Sequence, residues 1–142
     1  MVVDDHPIVC DGLTYLINLE PDLLVSAKAG NVAEAVKVVR KQRIDVAVVD
    51  MLLKGETGIQ VTKKIKAISP NLIVLIFSMS DELKYVKQAF AAGAMGYITK
   101  DEISEDIVKA IRQILKGQIY IGSRLLKNLP KKELDSFSVN SV

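Results

Sequence analysis

An apolar run interrupted by an acid constrains this chain more than any other feature. Residues 46–53 read Val-Ala-Val-Val-Asp-Met-Leu-Leu, with Asp50 at the end of the β-branched part. A run of this kind predicts a strand that is buried on both faces, as in a parallel sheet. Ligands of open α/β sheets bind at the carboxyl ends of such strands. We therefore expect Asp50 at the edge of the sheet where a ligand binds.

Three other apolar runs also end in side chains that can bind a metal ion or a phosphate. Asp4 and Asp5 follow the first run, Ser78 follows the second, and Lys100 follows the third. Amphipathic helical patterns separate the runs, and this alternation predicts parallel strands joined by right-handed crossovers. The expected fold class is α/β, a doubly wound parallel sheet of five strands with five helices, whose strand ends meet at one edge.

Composition narrows the class of protein. The 142 residues suffice for one domain with a short extension, and one cysteine excludes an internal disulfide. No apolar run approaches the roughly 20 residues that span a bilayer, so no membrane partner is expected. A net charge of +2 is too small to indicate nucleic acid as the partner of the whole chain. Without a secretory leader, the expected location is the cytoplasm.

The carboxyl-terminal part of the chain changes character after Gly117. Residues 1–117 carry the alternating pattern and form the predicted domain, and residues 118–129 predict an extended piece with a short helix. Residues 130–142 are polar and aperiodic, which is typical of a linker. We expect a further domain after this linker, and residues missing before the short first strand.

The three acids at the predicted edge indicate a metal site. Carboxylates within a few ångströms repel one another, and Mg²⁺ resolves the repulsion because it prefers oxygen ligands. Taken singly, each acid is more simply a helix cap or a turn residue. Together with a hydroxyl and an ammonium group, the acids favour a site that holds a phosphoryl group, with Asp50 as the nucleophile.

The segments around these residues resemble the receiver domain of bacterial two-component response regulators. The NarL/FixJ class, whose receivers precede a LuxR-type helix-turn-helix, has an opening similar to Val-Asp-Asp-His-Pro at 3–7 and Asp-Gly-Leu at 11–13. The same class matches Ser-Met-Ser-Asp at 78–81 and Ala-Gly-Ala-Met-Gly-Tyr-Ile-Thr-Lys at 92–100. The resemblance runs from residue 2 to about residue 129 and implies the flavodoxin-like receiver fold, with strand order 2-1-3-4-5.

The resemblance implies a role for each residue at the edge. Asp50 corresponds to the phospho-acceptor, and Ser78 and Lys100 correspond to the pair that contacts the phosphoryl oxygens. The implied cofactor is Mg²⁺, and its implied ligands are Asp4, Asp5, Asp50 and the backbone carbonyl of Leu52.

A switch and an interface are implied in the same way. Tyr97 corresponds to the aromatic residue that turns inward when the phosphate draws the Ser78 hydroxyl, although a tyrosine with a buried ring and a solvated hydroxyl is the plainer interpretation. A modest reversible interface is expected on the face that carries Tyr85, Val86, Phe90 and Asp106.

The expected function is a Mg²⁺-dependent phosphorylation switch. A sensor histidine kinase would phosphorylate Asp50, the chain would form a homodimer, and a carboxyl-terminal DNA-binding domain absent from this chain would regulate transcription. Apart from self-phosphorylation and slow self-dephosphorylation, no enzyme activity is expected. One alternative is a receiver-like adaptor that is never phosphorylated. The other is an aspartyl-phosphate phosphatase, which Leu52 disfavours because it stands where such enzymes have a second acid.

Several residues depart from the family pattern or invite a second interpretation. Lys54 stands where the family usually has proline, Met79 where many receivers have a smaller residue, and Cys10 where relatives often have arginine. Lys54 adds positive charge near the site, and Met79 is expected to narrow access to Asp50. His6 is the sole histidine, so a loop or capping role is expected for it rather than metal ligation.

Overall fold

Strands and helices alternate along the chain, as the apolar runs predict. The computed structural model describes residues 1–133. Its strands are β1 (Val2–Val3), β2 (Lys28–Ala29), β3 (Val46–Asp50), β4 (Leu52–Leu53), β5 (Glu56–Thr57), β6 (Ile73–Ser78), β7 (Gly96–Thr99) and β8 (Tyr120–Ile121). Its helices are α1 (Pro7–Asn18), α2 (Val32–Lys41), α3 (Gly58–Ile68), α4 (Leu83–Ala91), α5 (Ile103–Leu115) and α6 (Ser123–Asn128).

The main sheet is parallel throughout and has the strand order β2-β1-β3-β6-β7-β8. Its first five strands confirm the predicted order of a doubly wound sheet. The sixth, β8, extends the sheet at the β7 edge, where Gly96 pairs with Tyr120. The extended piece and short helix expected within residues 118–129 correspond to β8 and α6. A small antiparallel hairpin of β4 and β5 follows Asp50.

Alternate side chains of the central strands point to opposite faces of the sheet and build two apolar layers. In β3, Val48 faces the layer that contains α1 and α5, whereas Val49 faces the layer that contains α2, α3, α4 and α6. Both residues are at most 2% exposed. Burial on both faces explains why β3 and β6 read as continuous apolar runs in the sequence.

Three boundaries differ from those that the sequence predicts. The loose alternation over 23–29 predicts a longer strand than β2, but the amide of Val25 donates to the side chain of Asn18 instead of to a neighbouring strand. The residue types of Asp81 and Ser104 predict two helix N-caps. In the structure the N-caps of α4 and α5 are Glu82 and Glu102, without a capping side-chain bond.

The carboxyl-terminal segment packs onto the sheet. Leu125 of α6 is fully buried and lies in the same apolar cluster as Val86 and Tyr97. Of the linker predicted for 130–142, residues 134–142 lie outside the described residues. None of the helices within residues 1–133 has the length and apolar character that a membrane crossing requires.

Candidate functional site

The acids that follow β1 and β3 meet at the carboxyl edge of the sheet. Each of Asp4, Asp5, His6 and Asp50 offers a ligand atom, and these atoms all lie within 4.8 Å of one another. The sheet explains this proximity, because β1 and β3 are direct neighbours with Val3 opposite Val49. The structure therefore brings together the three carboxylates that the sequence analysis selects.

Asp50 is a nearly inaccessible carboxylate with two hydrogen-bond donors. It is 1% exposed, its Oδ2 atom accepts a hydrogen bond from Lys100 Nζ at 3.0 Å, and its Oδ1 atom accepts one from the amide of Leu52 at 3.2 Å. Burial raises the pKa of Asp50 above its ordinary value, and the charge of Asp4 adds to this shift. The hydrogen bonds from Lys100 and Leu52 oppose the shift without cancelling it. Additional positive charge at this edge would therefore favour the ionised nucleophile.

Asp4 is held by the residue at the start of α1. Its Oδ1 atom accepts a hydrogen bond from the backbone amide of His6 at 2.7 Å and lies 2.9 Å from His6 Nδ1. Its Oδ2 atom is buried and has no hydrogen-bond partner within residues 1–133. A buried carboxylate oxygen without a partner is costly unless a cation meets it.

Asp5 contacts both His6 and the loop after β3. Asp5 Oδ1 lies 3.0 Å from His6 Nδ1, and Asp5 Oδ2 accepts a hydrogen bond from the amide of Lys54 at 2.9 Å. A proline at position 54 could not donate this bond, because it has no N–H. The departure of Lys54 from the family pattern thus gives Asp5 a fixed orientation.

His6 occupies the N-cap of α1, but its side chain makes no capping hydrogen bond. Its ring lies beside Asp4 and Asp5 instead. The expected loop or capping role therefore covers only its backbone. The sequence signal for this placement of the ring is that His6 directly follows two acids.

This donor set fits Mg²⁺. The cluster offers three carboxylates, and the partnerless Asp4 Oδ2 atom lies among them. Hard divalent ions prefer such oxygen ligands and complete their shell with water and phosphate, so His6 is not needed as a nitrogen ligand. Leu52, whose carbonyl was the fourth expected ligand, follows Asp50 in β4 and has an exposed side chain.

Ser78 and Lys100 lie at the same edge because β6 and β7 are neighbours. The amide of Lys100 donates to the carbonyl of Ser78 at 2.8 Å, and Ser78 Oγ accepts a hydrogen bond from the amide of Ser80 at 3.0 Å. Asp50, Ser78 and Lys100 line one cleft of about 890 Å³. Met79 also lines this cleft, but it is 83% exposed and leaves the cleft open to solvent.

Tyr97 is buried in the sheet with its hydroxyl directed to the loop after β6. It is fully buried, and its hydroxyl donates to the carbonyl of Ser80 at 2.7 Å. Burial raises the pKa of Tyr97, so the hydroxyl keeps its proton. The inward position connects Tyr97 to the loop that starts at Ser78.

The expected interface face is only partly a surface. Tyr85, Phe90 and Asp106 are half-buried. Val86 is fully buried in the apolar cluster that also contains Leu125 of α6, so it cannot contribute to an exposed interface.

The sequence model of the response regulator receiver domain family matches residues 1–112 of this chain. The chain belongs to the response regulator receiver family. This membership agrees with the geometry, since the acids, the Ser78 hydroxyl and the Lys100 ammonium group lie where four strands end.

Named relatives support the same class of receiver. The chain is 30% identical to the oxygen regulatory protein NreC of Staphylococcus epidermidis over 143 aligned residues, which cover 100% of this chain and 66% of NreC. It is 32% identical over 117 residues to the uncharacterized transcriptional regulatory protein YxjL of Bacillus subtilis, covering 82% of this chain and 54% of YxjL. The receiver thus spans at most about two thirds of these relatives.

One solved structure matches this receiver over almost the whole length of both chains. The two-component response regulator of the LuxR family from Aurantimonas sp. superposes with a TM-score of 0.88 and 34% identity, covering 94% of this chain and 96% of that chain. The isolated receiver of RcsB from Salmonella enterica, solved with a phosphomimetic, has a TM-score of 0.82 at 21% identity and shows likeness of fold alone. These likenesses confirm the fold and the NarL/LuxR-type class predicted from the motifs.

Two further residues of this receiver, Gly58 and Glu102, lie close to residues of the site. A Cβ atom on Gly58, the first residue of α3, would lie 2.5 Å from the carbonyl oxygen of Asp50, so only glycine lets α3 start against the nucleophile. Glu102 is the second residue after Lys100 and is 8% exposed. Its partners Ser123 and Arg124 come from α6, so the sequence alone carries no signal for the second residue.

Proposed function

We propose that this receiver accepts a phosphoryl group on Asp50 from a sensor histidine kinase in a Mg²⁺-dependent reaction. The observation that carries the proposal is the buried Asp50 carboxylate, hydrogen bonded to Lys100 and clustered with Asp4 and Asp5 beside an open cleft. A structural ion pair alone would not need two further acids at the same edge.

The proposed chemistry is nucleophilic substitution at phosphorus. A carboxylate oxygen of Asp50 attacks the phosphorus of a phosphohistidine, the new P–O bond forms, and the P–N bond breaks. The departing imidazole nitrogen takes a proton from solvent, so atoms and charge balance. Lys100 and Ser78 contact the phosphoryl oxygens, while Mg²⁺ at the acids, when bound, supplies positive charge to the same oxygens.

The switch in this proposal follows from the added charge. A phosphoryl group adds about −1.5 to −2 charge units and three acceptor oxygens, which favour closure of the loops that carry Ser78 and Lys100. The Tyr97 hydroxyl is bonded to the Ser78 loop and is well placed to respond. In the full-length protein, the response would control homodimerisation and, through a following DNA-binding domain, transcription in the cytoplasm.

Catalysis on an external substrate is not part of the proposal. Only self-phosphorylation and slow self-dephosphorylation at Asp50 are expected. Leu52 stands two residues after the nucleophile, where a phosphatase of this chemistry would need a second acid, and its side chain is 72% exposed.

The deciding experiment is incubation with acetyl phosphate and Mg²⁺, followed by mass measurement of the intact protein. We expect one base-labile phosphoryl adduct, which is absent in Asp50→Asn and retained in Asp11→Asn, an exposed acid on α1 that serves as the control. Absence of any adduct would support the adaptor, and continuous release of phosphate would support the phosphatase.

Homodimerisation is tested separately. The molecular mass in solution is compared with and without beryllofluoride and Mg²⁺, because beryllofluoride mimics an aspartyl phosphate. An unchanged monomer under conditions in which beryllofluoride is bound would contradict a dimer formed by this chain.

A further inference from the structure

Glu102 is a buried acid in the turn between β7 and α5, two residues after Lys100. Its carboxylate accepts hydrogen bonds from Thr99 Oγ1 at 2.6 Å, from Ser123 Oγ at 3.2 Å and from the amide of Arg124 at 3.0 Å. One side chain therefore joins the end of β7 to the first residues of α6.

The neighbouring residue makes a second connection between the same two segments. Asp101, directly after Lys100, forms an ion pair with Arg124. Both residues that follow Lys100 thus contact the start of α6. This arrangement restricts the turn from moving independently of the helix.

The approach of the two segments is close as well as polar. A Cβ atom on Gly122, the residue before α6, would lie 2.6 Å from Glu102 Oε1 and 2.9 Å from Oε2. The absence of a side chain at this position lets the carboxylate reach the helix.

Glu102 holds these contacts as a charged group. Burial alone would raise its pKa, but the hydrogen bonds from Arg124, Thr99 and Ser123 outweigh burial, and the pKa lies below its ordinary value. A buried carboxylate that loses its donors pays a desolvation cost. If the turn moves, the hydrogen bonds between Glu102 and α6 are therefore expected to stay formed.

The extension at the other end of this connection packs against the sheet and α4. Leu125 is fully buried in the apolar cluster, and the amide of Gly122 donates to the carbonyl of Tyr97 at 3.0 Å. Beyond α6, Glu133 forms an ion pair with Lys87 of α4 at 3.1 Å. The contacts of Glu102 with α6 therefore belong to a segment that is packed on the receiver over residues 120–133.

We propose that Glu102 is a positioning residue that transmits the position of Lys100 to α6, and so makes the carboxyl-terminal extension responsive to the state of Asp50. The inference rests on the proposed function, because Lys100 must move toward a phosphoryl group on Asp50 for a signal to arise. When Lys100 moves, the turn moves with it, and Glu102 carries its three donors along. The extension is then the output of the switch, in addition to any dimer surface.

The test is hydrogen exchange on the whole chain, with and without beryllofluoride and Mg²⁺. In the wild type, we expect changed exchange both in peptides around Asp50 and in residues 122–129. In Glu102→Gln and in Gly122→Ala, the change around Asp50 stays and the change in 122–129 is lost. Glu105→Gln alters an exposed acid on α5 and is expected to behave like the wild type.

A merely structural role for Glu102 predicts a different result. It would speed basal exchange in 122–129, by about tenfold or more for a lost charged hydrogen bond, but the response to beryllofluoride would remain. That outcome overturns the proposal, as does a wild-type response confined to the Asp50 peptides.

If Glu102→Gln fails to fold, Gly122→Ala decides, because this variant keeps the Glu102 carboxylate and only displaces it. No response around Asp50 in the wild type would instead overturn the proposed function, and the coupling with it.

Discussion

Lys100 Nζ lies 3.0 Å from Asp50 Oδ2, and this ion pair joins the carboxyl ends of β3 and β7 across the intervening strand β6. The Asp50 side chain is 1% exposed and the Lys100 side chain 25% exposed, so the pair lies at the floor of an open cleft. Removal of the partner of a buried carboxylate destabilises a protein more than the same removal at the surface, because water cannot take the partner's place.

Replacement of Lys100 by methionine is expected to destabilise the protein. It leaves Asp50 with a single donor, and the loss of one hydrogen bond to a charged group costs about 2 kcal/mol. Urea unfolding measures this change in the free energy of unfolding. Lys63→Met is the matched control, because Lys63 lines the same cleft but is exposed. Equal losses in the two variants would show that the ion pair contributes nothing specific.

Mg²⁺ is expected to stabilise the wild-type protein against heat. The ion meets the partnerless Asp4 Oδ2 atom and screens the repulsion among the acids. At a concentration 100 times its dissociation constant, the gain would be about 2.7 kcal/mol. Thermal melts with and without Mg²⁺ measure it. Asp4→Asn and Asp5→Asn should lose most of the shift, whereas Asp11→Asn should keep it, and a shift of equal size in all variants would exclude this site.

The parts of the site that the sequence predicted are those determined by strand ends. Asp50, Ser78 and Lys100 each end a buried apolar run or follow one directly, and parallel pairing then places them at one edge. Side-chain chemistry alone was enough to predict an oxygen-rich site beside them. The position of such residues needs no knowledge of long-range packing.

The parts that the sequence did not predict depend on contacts between distant segments or on the backbone. The bond from the amide of Lys54 to Asp5 joins residues 49 positions apart and involves no side chain of Lys54. The donors Ser123 and Arg124 reach Glu102 from the start of α6, 21 and 22 positions further along the chain. Neither periodicity nor a motif carries information of this kind.

Tyr97→Phe is expected to cost about 1 kcal/mol of stability. The substitution keeps the buried ring and removes only the hydroxyl that donates to the carbonyl of Ser80. Chemical denaturation measures the loss. Tyr15→Phe removes a hydroxyl from a residue that is 66% exposed and is expected to have almost no effect. If the two variants lose the same stability, the bond to Ser80 is not a stabilising contact.

Glu102 gives a prediction for pH. Because its pKa is lower in the folded chain than its ordinary value, its ionised form stabilises the fold above the unfolded pKa of about 4.5. That contribution is lost as the pH falls through the folded pKa. Glu102→Gln is therefore expected to be less stable than the wild type at neutral pH, with the gap closing in acid. Unfolding curves across this range test it, and a gap that widens on acidification would contradict the depressed pKa.

Gly58→Ala is expected to be the most damaging small substitution near the site. The added Cβ atom would lie 2.5 Å from the carbonyl oxygen of Asp50 and 2.9 Å from the Cα atom of Met51. Both neighbours are backbone atoms in or directly after β3, so they cannot rotate away, and overpacking of this kind costs about 1–3 kcal/mol. Gly12→Ala is the matched control, because a Cβ atom there meets nothing within 4 Å and alanine favours the helix interior of α1. Thermal unfolding should show a loss of stability for Gly58→Ala and a small gain of stability for Gly12→Ala.

The clash falls on the residue that bears the nucleophile, so the yield of the acetyl phosphate adduct should fall only in Gly58→Ala. A normal yield together with normal stability would mean that α3 can shift away from Asp50.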